Sequence, residues 1–566
     1  MNSHSKFNKS SVNARKVQIE LLKKDPKEWD LIVVGGGITG AGVFREAAYL
    51  GLKVLLVEQR DFAWGTSSRS SKMVHGGLRY LASGQFSLAN DSVKERQNLM
   101  TELPGLVDPL PFMMGHYKGV FPGPWIFNKL LAIYDFMAGK RYRHFFNKGI
   151  RDYLIPGMNT SKLKGATQFA DAVTDDARLV MRVIQAGQSD KGLAINYLKA
   201  VTVLKEDGEG GGAEEGKEKG KIKGLVLKDI ESDEQVQVRA KVVINATGVW
   251  TDELRSMMGA GKVIRPLRGS HLVVPFWRLP VAFSVSFFHP KDKRPVFVFP
   301  WEGVTVIGTT DLDHKTDSAK EASISEQEVA YLLHAVNQQF PEANLQKNDI
   351  RSTWSGVRPV VSKQSIKADQ SLNLEKPAKP SDEKREHAIW DDSGLISVAG
   401  GKLTTYRLIA MNVLQKAAPY LNLPVSTLRK SSHFKSSEKI DVAKSELAIH
   451  LSCGTKRRLQ GRHGEHVVSI YSLIKISPRL AEKVGTTDTL WAELVWACQS
   501  ENVVHLDDLL LRRTRIGLLL EQGAQACMSE IKDVCQEYLN WDDSKWQAEL
   551  SHYQRIMQQY YSLPES

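Results

Sequence analysis

The stretch "GGGITGAG", Gly35 to Gly42, decides the fold of the N-terminal part of the chain. It follows the apolar run "DLIVV" and precedes "VFREAAYLGLK", which has the pattern of an amphipathic helix. Gly35, Gly37 and Gly40 match G-x-G-x-x-G: the first glycine permits a tight turn, the second lets a pyrophosphate approach the backbone, and the third lets helix pack on strand. We therefore predict a β-α-β unit that binds a dinucleotide at the start of its helix.

Glu58 ends the second apolar run of this unit, "VLLVE". A carboxylate at this place can accept hydrogen bonds from the ribose hydroxyls of a dinucleotide, and its charge repels a 2′-phosphate. The cofactor is therefore expected to be an adenine dinucleotide without that phosphate. The unit by itself does not distinguish NAD from FAD.

The composition narrows the class of protein. With 566 residues, 42% hydrophobic and 25% charged, the chain is long enough for two or three globular domains. No stretch approaches the roughly 20 apolar residues of a transmembrane helix, so any membrane contact should be peripheral. The formal net charge of +12 suits nucleic acid, an anionic membrane face or an anionic substrate. Because the basic residues are scattered and no RNA-binding motif stands out, nucleic acid is not an expected partner.

The N-terminal segment and the cysteines give further expectations. Residues 1–28 are basic and polar without an apolar signal region, which predicts a disordered tail and leaves a mitochondrial transit peptide as the alternative. The four cysteines all lie in the last quarter of the chain and lack C-x-x-C spacing. Neither a disulfide framework nor a metal site is expected, and a reducing compartment such as the cytoplasm fits.

After the β-α-β unit, the sequence predicts other elements and then a further strand of the first sheet. A second buried strand, "AKVVINATG" at Ala240 to Gly248, runs into a turn of small residues, and alternating patterns at 194–208 and 221–241 predict a β-meander before it. Two polar segments, 205–221 and 363–387, are expected to be loops, the first of them a disordered hairpin tip. This return favours FAD over NAD, because the long FAD molecule needs contacts from distant segments.

Seven motifs together resemble the family of FAD-dependent glycerol-3-phosphate dehydrogenases. The similarity begins at about Trp29 and continues into the C-terminal part, where "DLLLRRTRIG" (Asp508 to Gly517) also resembles that family. The seven motifs are "TSSRSSKMVHGGLRYL" (Thr66 to Leu81), "DDARLV" (Asp175 to Val180), "NATGVW" (Asn245 to Trp250), "RGSHLVVP" (Arg268 to Pro275), "IGTTD" (Ile307 to Asp311), "SGVRPV" (Ser355 to Val360) and "GGKLTTYR" (Gly400 to Arg407).

The resemblance implies an α/β protein, α+β overall, built from three parts. These are a glutathione-reductase-type, Rossmann-like FAD-binding domain, a substrate domain with an antiparallel sheet, and a helical C-terminal domain. We place the FAD-binding parts at about 29–90, 165–265 and 390–424, and the substrate parts at about 91–164 and 266–389. The helical domain is placed at 425–566, and residues 1–28 form a basic extension.

The resemblance also implies a reaction, the oxidation of sn-glycerol 3-phosphate to dihydroxyacetone phosphate. Hydride would pass to flavin N5 and the electrons to a membrane quinone. Two alternatives stay open: an oxidase that passes electrons to oxygen and makes hydrogen peroxide, and an amine or amino-acid oxidase of the same fold. The cationic residues in the motifs disfavour the latter. No EF-hand signature follows the last helices, which favours the bacterial over the mitochondrial form.

The motifs supply the candidate site residues. A phosphate dianion needs fixed cations, and a secondary alcohol that loses hydride needs a proton acceptor. We expect Arg358 and His271 to be catalytic, with His75 as the alternative base, and Arg79, Tyr80, Lys402 and His75 to bind substrate. The expected FAD contacts are Gly35, Gly37, Gly40, Glu58, Thr66, Ser67, Ser68, Ser71, Ala246, Thr247, Gly248, Gly400, Gly401, Leu403 and Thr404. Since every cysteine lies beyond residue 450, FAD should be bound non-covalently.

One segment, Phe121 to Phe146, suggests contact with a membrane. Its sequence "FPGPWIFNKLLAIYDFMAGKRYRHFF" places aromatic residues beside Lys140, Arg141 and Arg143. This combination is typical of a helix at a membrane interface, although a helix of the protein core can show the same pattern. We expect peripheral binding to anionic lipid at the inner face of the cytoplasmic membrane. The oligomeric state stays open, with a homodimer among the alternatives.

Overall fold

The structure is a computed structural model that describes residues 11–24, 28–82, 84–146, 154–206, 220–315, 320–362, 387–424, 426, 428, 434 and 451–564. The strands are β1 (Trp29–Val34), β2 (Val54–Val57), β3 (Met73–Val74), β4 (Val107–Tyr117), β5 (His144–Phe146), β6 (Leu163–Thr174), β7 (Leu193–Ile195), β8 (Leu198–Lys205), β9 (Ile222–Asp229), β10 (Gln235–Asn245), β11 (Ile264–Pro275), β12 (Ser284–Phe288), β13 (Pro295–Trp301), β14 (Val304–Gly308), β15 (Leu312–Asp313), β16 (Ser352–Val361), β17 (Ala388–Asp392) and β18 (Leu395–Ala399).

The helices are α1 (Ser11–Lys24), α2 (Ile38–Tyr49), α3 (Leu78–Ala82), α4 (Phe86–Glu102), α5 (Pro124–Ala138), α6 (Asp176–Ser189), α7 (Thr251–Ser256), α8 (Glu326–Gln339), α9 (Tyr406–Leu421), α10 (Cys453–His463), α11 (Val467–Ile476), α12 (Trp491–Ser500), α13 (Ile516–Leu519), α14 (Met528–Leu539) and α15 (Asp543–Ile556). None of the helices in these described ranges is long and apolar enough to cross a membrane.

The first sheet has the order β17-β18-β10-β1-β2-β7 and is parallel except at β17. Its central strands read as continuous apolar runs because both faces are covered. Helices α2, α6 and α9 share an apolar core with one face, and the β8–β9–β10 meander shares a core with the other. The predicted Rossmann-like cofactor domain and its meander are confirmed.

The second sheet has the order β15-β11-β14-β13-β12-β4-β6-β3, with β16 beside β11 and β5 beside β6. It is antiparallel as predicted, except that β12 runs parallel to β4, where Ser284 pairs with Phe112. The two strands belong to separate excursions of the chain, so no hairpin forces them to be antiparallel. Strand β6 also lies in this sheet, although most of it falls after residue 165, where we placed the return to the cofactor domain.

The C-terminal helices pack on the rest of the protein through apolar and charged contacts. Leu509, Leu518 and Ile531 share one buried core with Trp354 and other side chains of the second sheet. Fully buried Asp61 accepts hydrogen bonds from Arg513 at 2.7 Å and from Arg512 Nε at 2.5 Å. Burial alone would raise the pKa of Asp61, but the two guanidinium charges outweigh it and lower that pKa. The helical C-terminal domain is thus confirmed.

The N-terminal extension departs from the predicted disordered tail, because residues 11–24 form helix α1. Buried Arg15 donates to the carbonyls of Asn196 and Tyr197 at 2.9 and 3.1 Å and pairs with Asp229 at 2.5 Å. Ile19 also packs into the core under the meander. These contacts supply the ordering that composition alone does not predict. The tip of the 205–221 insert and nearly all of the 363–387 loop lie outside the described residues.

Candidate active site

A cleft of about 1360 Å³ is lined by residues of both sheets. This volume exceeds that of a pocket for a single drug-sized molecule, and it suits a dinucleotide with a small substrate beside it. Most of the predicted site residues line it: Gly35, Gly37, Glu58, Thr66, Ser67, Ser71, His75, Tyr80, Ala246, Thr247, Gly248, His271, Arg358, Gly400, Gly401, Lys402, Leu403 and Thr404. Segments predicted from separate motifs therefore meet in one place.

The glycine turn between β1 and α2 has no room for side chains. Gly35 has φ of +112°, and a Cβ there would lie 2.5 Å from the carbonyl oxygen of Ala246. A Cβ on Gly40 would overlap the carbonyl oxygen of Gly35. The first contact brings the two predicted cofactor turns together, and the second lets α2 start close to β1. Ser67 Oγ accepts a hydrogen bond from the Ile38 N–H at 2.9 Å, which places this hydroxyl at the start of α2.

Glu58 is held by two backbone donors at the end of β2. The N–H of Gly36 donates to Oε2 at 2.7 Å and that of Arg60 donates to Oε1 at 2.9 Å. Burial raises the pKa of the Glu58 carboxyl, and the two hydrogen bonds oppose that shift. The carboxylate is oriented at the wall of the cleft, so the glycine turn and Glu58 together fit the pyrophosphate and ribose of an adenine dinucleotide. No cysteine is present among the described residues that line the cleft.

His271 lies in the second sheet, where β11 pairs with β14 at Gly308 and with β16 at Trp354. Its ring stacks on the Trp354 indole with centroids 5.0 Å apart, and Gly308 leaves the space that the ring occupies. Its Nε2 lies 2.9 Å from Ser71 Oγ. Burial, Lys72 and Arg358 lower the pKa of His271 well below its ordinary value. The imidazole is therefore neutral at pH 7 and able to accept a proton.

Two arginines that line the cleft share one carboxylate. Arg358 donates to Asp311 Oδ1 at 3.0 Å, while Arg294 pairs with Oδ2 at 2.8 Å and donates to the Asp311 carbonyl at 2.9 Å. All three residues line the cleft. Arg294 was not among the residues predicted from the sequence, and Asp311 was quoted in a motif without a role. No signal in the sequence marks Arg294, which ends the polar run "KDKR" before β13.

A third cation of the cleft, Lys402, follows the predicted cofactor turn at Gly400 and Gly401. Lys402 Nζ lies 3.6 Å from the centroid of the Tyr80 ring and donates to Ser92 Oγ at 3.3 Å. The Thr404 hydroxyl donates to the His75 carbonyl at 3.1 Å, which ties the "GGKLTTYR" turn to the "HGGLRY" turn. Lys402, Tyr80 and His75 thus come together as predicted. Their roles toward a substrate stay predictions.

Three predicted residues are not among the described lining of the cleft. Gly40 lies in the first turn of α2, against the Gly35 carbonyl. Ser68 does not line the cleft: it is buried, and its carbonyl oxygen accepts from Lys72 Nζ at 2.5 Å and from Arg515 at 2.7 Å. Its expected contact with the cofactor is therefore not supported, because the loop turns this residue toward the C-terminal domain. Arg79 belongs to helix α3, but its side chain lies outside the described part of the chain.

Comparison with known proteins agrees with this site. The model of the FAD dependent oxidoreductase family matches residues 30–407, and that of the C-terminal domain of alpha-glycerophosphate oxidase matches residues 428–546. The aerobic glycerol-3-phosphate dehydrogenase of Staphylococcus haemolyticus is 33% identical over 88% of this chain and 88% of its own. Glycerol-3-phosphate dehydrogenase 2 of Mycobacterium tuberculosis is 32% identical over 93% of this chain and 88% of its own.

Among solved structures, the glycerol-3-phosphate dehydrogenase of Bacillus halodurans complexed with FAD is similar over 97% of this chain and 98% of its own. The TM-score is 0.73 and the identity is 27%. The matches span both sheets and the C-terminal helices, and the residues of the cleft fit the same cofactor. FAD is the cofactor of this enzyme, and the chain belongs to the family of FAD-dependent glycerol-3-phosphate dehydrogenases.

Proposed function

We propose that this enzyme oxidises sn-glycerol 3-phosphate to dihydroxyacetone phosphate and passes the electrons to a membrane quinone at the inner face of the cytoplasmic membrane. Helix α5 is the observation that carries the choice of acceptor. Its residues Phe127 and Leu130 line the same cleft as the glycine turn, while its other face is exposed and apolar. A lipophilic acceptor would therefore meet apolar surface from the bilayer to the cleft.

The exposed face of α5 and the turn before it have the features of a membrane interface. Phe121 is 75% exposed, Trp125 68% and Phe136 87%, and Val120, Ile126, Ile133 and Phe145 are exposed beside them in sequence. Large apolar side chains exposed in this number within one segment mark a surface for interaction with a membrane or a protein. Lys129 lies 3.8 Å from the Trp125 ring centroid, which adds a cation where headgroups would lie.

The predicted basic cluster needs one correction. Lys140 and Arg141 are exposed, but the Arg143 guanidinium pairs with Asp135 at 2.7 Å. The same carboxylate also accepts from the backbone of Tyr142 at 3.1 Å. The charge of Arg143 is therefore already paired with a carboxylate of α5. We assign the lipid contact to Lys129, Lys140 and Arg141.

The residues of the cleft divide the proposed reaction between them. Bound FAD supplies the hydride acceptor, flavin N5. Arg294 and Arg358 together carry one more positive charge than Asp311 neutralises, and they hold the phosphate dianion through charge-assisted hydrogen bonds. Ser71 and His271 both line the cleft, and Ser71 Oγ lies 2.9 Å from His271 Nε2, so the proton of the C2 hydroxyl passes to the imidazole through this hydroxyl.

Anaerobic mixing tests both halves of this proposal. We expect sn-glycerol 3-phosphate to bleach the flavin absorbance of the purified enzyme, and a short-chain quinone to restore the colour faster than oxygen at equal concentration. A flavin that stays yellow would overturn the dehydrogenase reaction. Faster return of the colour with oxygen, together with hydrogen peroxide, would identify an oxidase instead.

Binding to anionic vesicles tests the membrane surface. We expect the double variant Lys140→Gln/Arg141→Gln to bind them more weakly by up to about 30-fold, at about 1 kcal/mol per cation near the surface. Salt should weaken the wild type only in part, because the Debye length falls from about 10 Å at 0.1 M to about 3 Å at 1 M while apolar insertion remains. Co-flotation with vesicles measures both effects.

The matched control is Arg143→Gln, which removes a cation of the same segment that already has a carboxylate partner. It should bind vesicles nearly as well as the wild type, and all variants should keep their activity with a soluble dye. Equal binding by the double variant and the wild type would move the membrane contact to another surface.

A further inference from the structure

The serine loop (residues 66–72) connects the cofactor side of the cleft to the proton acceptor. At one end Ser67 Oγ accepts from the first residues of α2, and at the other Ser71 Oγ lies 2.9 Å from His271 Nε2. Trp354 donates its indole N–H to the Ser70 carbonyl at 3.1 Å, so the ring under His271 is tied to the same loop. The position of this loop therefore sets the geometry of proton transfer.

Two buried cations that do not line the cleft, Lys72 and Arg515, bind the serine loop. Lys72 Nζ donates to the Ser68 carbonyl at 2.5 Å and to Asp176 Oδ1 and Oδ2 at 2.8 and 2.9 Å. Arg515 Nη2 donates to the same carbonyl at 2.7 Å and to Asp176 Oδ1 at 3.3 Å. The Ser70 N–H and hydroxyl donate to Asp176 Oδ2 at 2.9 and 2.7 Å. Asp176 is thus the common partner of the loop and both cations.

None of the three charged residues lines the cleft, and all three are buried. Arg515 follows the π-helical turn Asp508–Arg513 of the C-terminal domain and is 447 residues away from Ser68 in the chain. Through Arg515 the C-terminal domain therefore makes a direct hydrogen bond to the loop that carries Ser71. Arg515 does not line the cleft, so its effect on the reaction is indirect.

The geometry matches a charged Lys72. An ammonium has three N–H donors and no acceptor, and three oxygens surround Lys72 Nζ. Burial and Arg515 lower the pKa of Lys72 to about 7, while Asp176 and Asp175 oppose that shift. The three acceptors favour the protonated form, because a neutral amine has only two N–H donors to offer them. Its Nζ lies 4.6 Å from the Trp354 ring centroid, close to the stacked imidazole.

We propose that Arg515 and Lys72 are positioning residues that hold Ser71 against His271, so that the C-terminal helical domain takes part in proton transfer without touching the substrate. This inference rests on the proposed function, in which Ser71 and His271 take up the hydroxyl proton. It assigns a chemical role to contacts that would otherwise only stabilise the junction between the domains.

The first test compares Arg515→Met with the control Arg513→Met. Both arginines are buried in the same segment and pair with carboxylates of the cofactor domain, but the partner of Arg513 is Asp61, outside the serine loop. We expect Arg515→Met to slow flavin bleaching at saturating sn-glycerol 3-phosphate by about tenfold or more, because displacing reacting groups by about 1 Å costs on the order of 100-fold. Arg513→Met should lower the unfolding temperature but bleach at the wild-type rate per bound FAD.

The second test uses Lys72→Met and the pH dependence of bleaching. The charged groups that lower the pKa of His271 are Lys72 and Arg358, in addition to burial. Lys72 itself faces Asp175, Asp176 and Arg515. Removing the Lys72 charge lets the pKa of His271 rise, so the loss of rate at low pH should begin at a higher pH than in the wild type. If the Lys72 contact were only structural, its removal would lower the stability of the fold but would not change the pH at which the bleaching rate begins to fall.

The outcomes separate this inference from the proposed function. If the wild-type flavin is not bleached at all, the proposed function fails. If the wild type is bleached and both Arg515→Met and Arg513→Met match it or lose rate equally, only the positioning role fails. If Arg515→Met retains no FAD, the bleaching rate is measured instead for Arg515→Lys, which keeps a cation and loses the planar guanidinium. A wild-type bleaching rate in Arg515→Lys, together with a Lys72→Met variant whose rate falls at the same low pH as in the wild type, would overturn the inference.

Discussion

His271→Asn is expected to slow the bleaching of bound flavin by sn-glycerol 3-phosphate by about 10²- to 10⁴-fold at saturating substrate, the usual contribution of a general base. Asparagine is too short to place its amide where His271 Nε2 lies, 2.9 Å from Ser71 Oγ, and an amide cannot take up the proton. Anaerobic stopped-flow absorbance gives this rate directly. The FAD content should stay at the wild-type level, because the glycine turn and Glu58 are unchanged.

Two further variants decide between the candidate bases. His75→Asn should retain most of the wild-type rate, and Ser71→Ala should show an intermediate loss because it removes the hydroxyl that contacts the imidazole. A large loss in His75→Asn with a normal rate in His271→Asn would assign the base to His75, the alternative that the sequence left open.

The pH dependence gives an independent check on His271. A base must be neutral, and burial, Lys72 and Arg358 place the pKa of His271 well below its ordinary value of about 6.5. The bleaching rate should therefore stay constant as the pH falls to 6.5 and decrease only as the pH passes through the lowered pKa. A decrease that begins above pH 6.5 would contradict this assignment.

The parts of the site that depend on local sequence could be predicted. Gly35, Gly37, Gly40 and Glu58 belong to one β-α-β unit, and the requirement for a tight turn is visible in consecutive residues. The structure adds that a side chain on Gly35 would strike Ala246, a contact between two strands far apart in the chain. The family resemblance supplied the domain types, which a short motif alone does not determine.

The pairing of Arg294 with Asp311 could not be predicted, because it depends on the register of the second sheet. Arg294 and Asp311 are 17 residues apart in sequence, and they meet because Arg294 precedes β13 while Asp311 follows β14. In sequence the run "KDKR" before β13 resembles an ordinary solvated turn. Arg294 meets Asp311 only because β13 and β14 pair in antiparallel register.

Contacts of single charged side chains also explain the other differences between prediction and structure. The N-terminal extension was expected to be disordered on composition, but Arg15 finds carbonyl acceptors 181 and 182 residues away. Arg143 was counted as a lipid-binding cation, but Asp135 on the preceding helix neutralises it. In each case one charged side chain has a partner that the surrounding residues do not reveal.

Arg358→Ala and Arg294→Ala are each expected to lower kcat/KM for sn-glycerol 3-phosphate by about 10- to 150-fold. Each change removes charge-assisted hydrogen bonds to the phosphate, worth about 1.5–3 kcal/mol at about 1.4 kcal/mol per decade. Each also leaves Asp311 with one guanidinium partner instead of two, so the net charge of the group falls. Steady-state assays with a soluble dye measure the loss, and the losses should not be additive because both residues contact the same carboxylate.

The matched control for both arginines is Arg268→Ala, whose guanidinium donates to Glu328 at 2.7 Å and does not line the cleft. This variant should leave unchanged the ratio of kcat/KM for sn-glycerol 3-phosphate to that for glycerol, which lacks the phosphate. Arg358→Ala and Arg294→Ala should lower that ratio, because only the phosphorylated substrate loses a contact. If either variant lowers both values of kcat/KM equally, that arginine supports the fold of the cleft and does not bind phosphate.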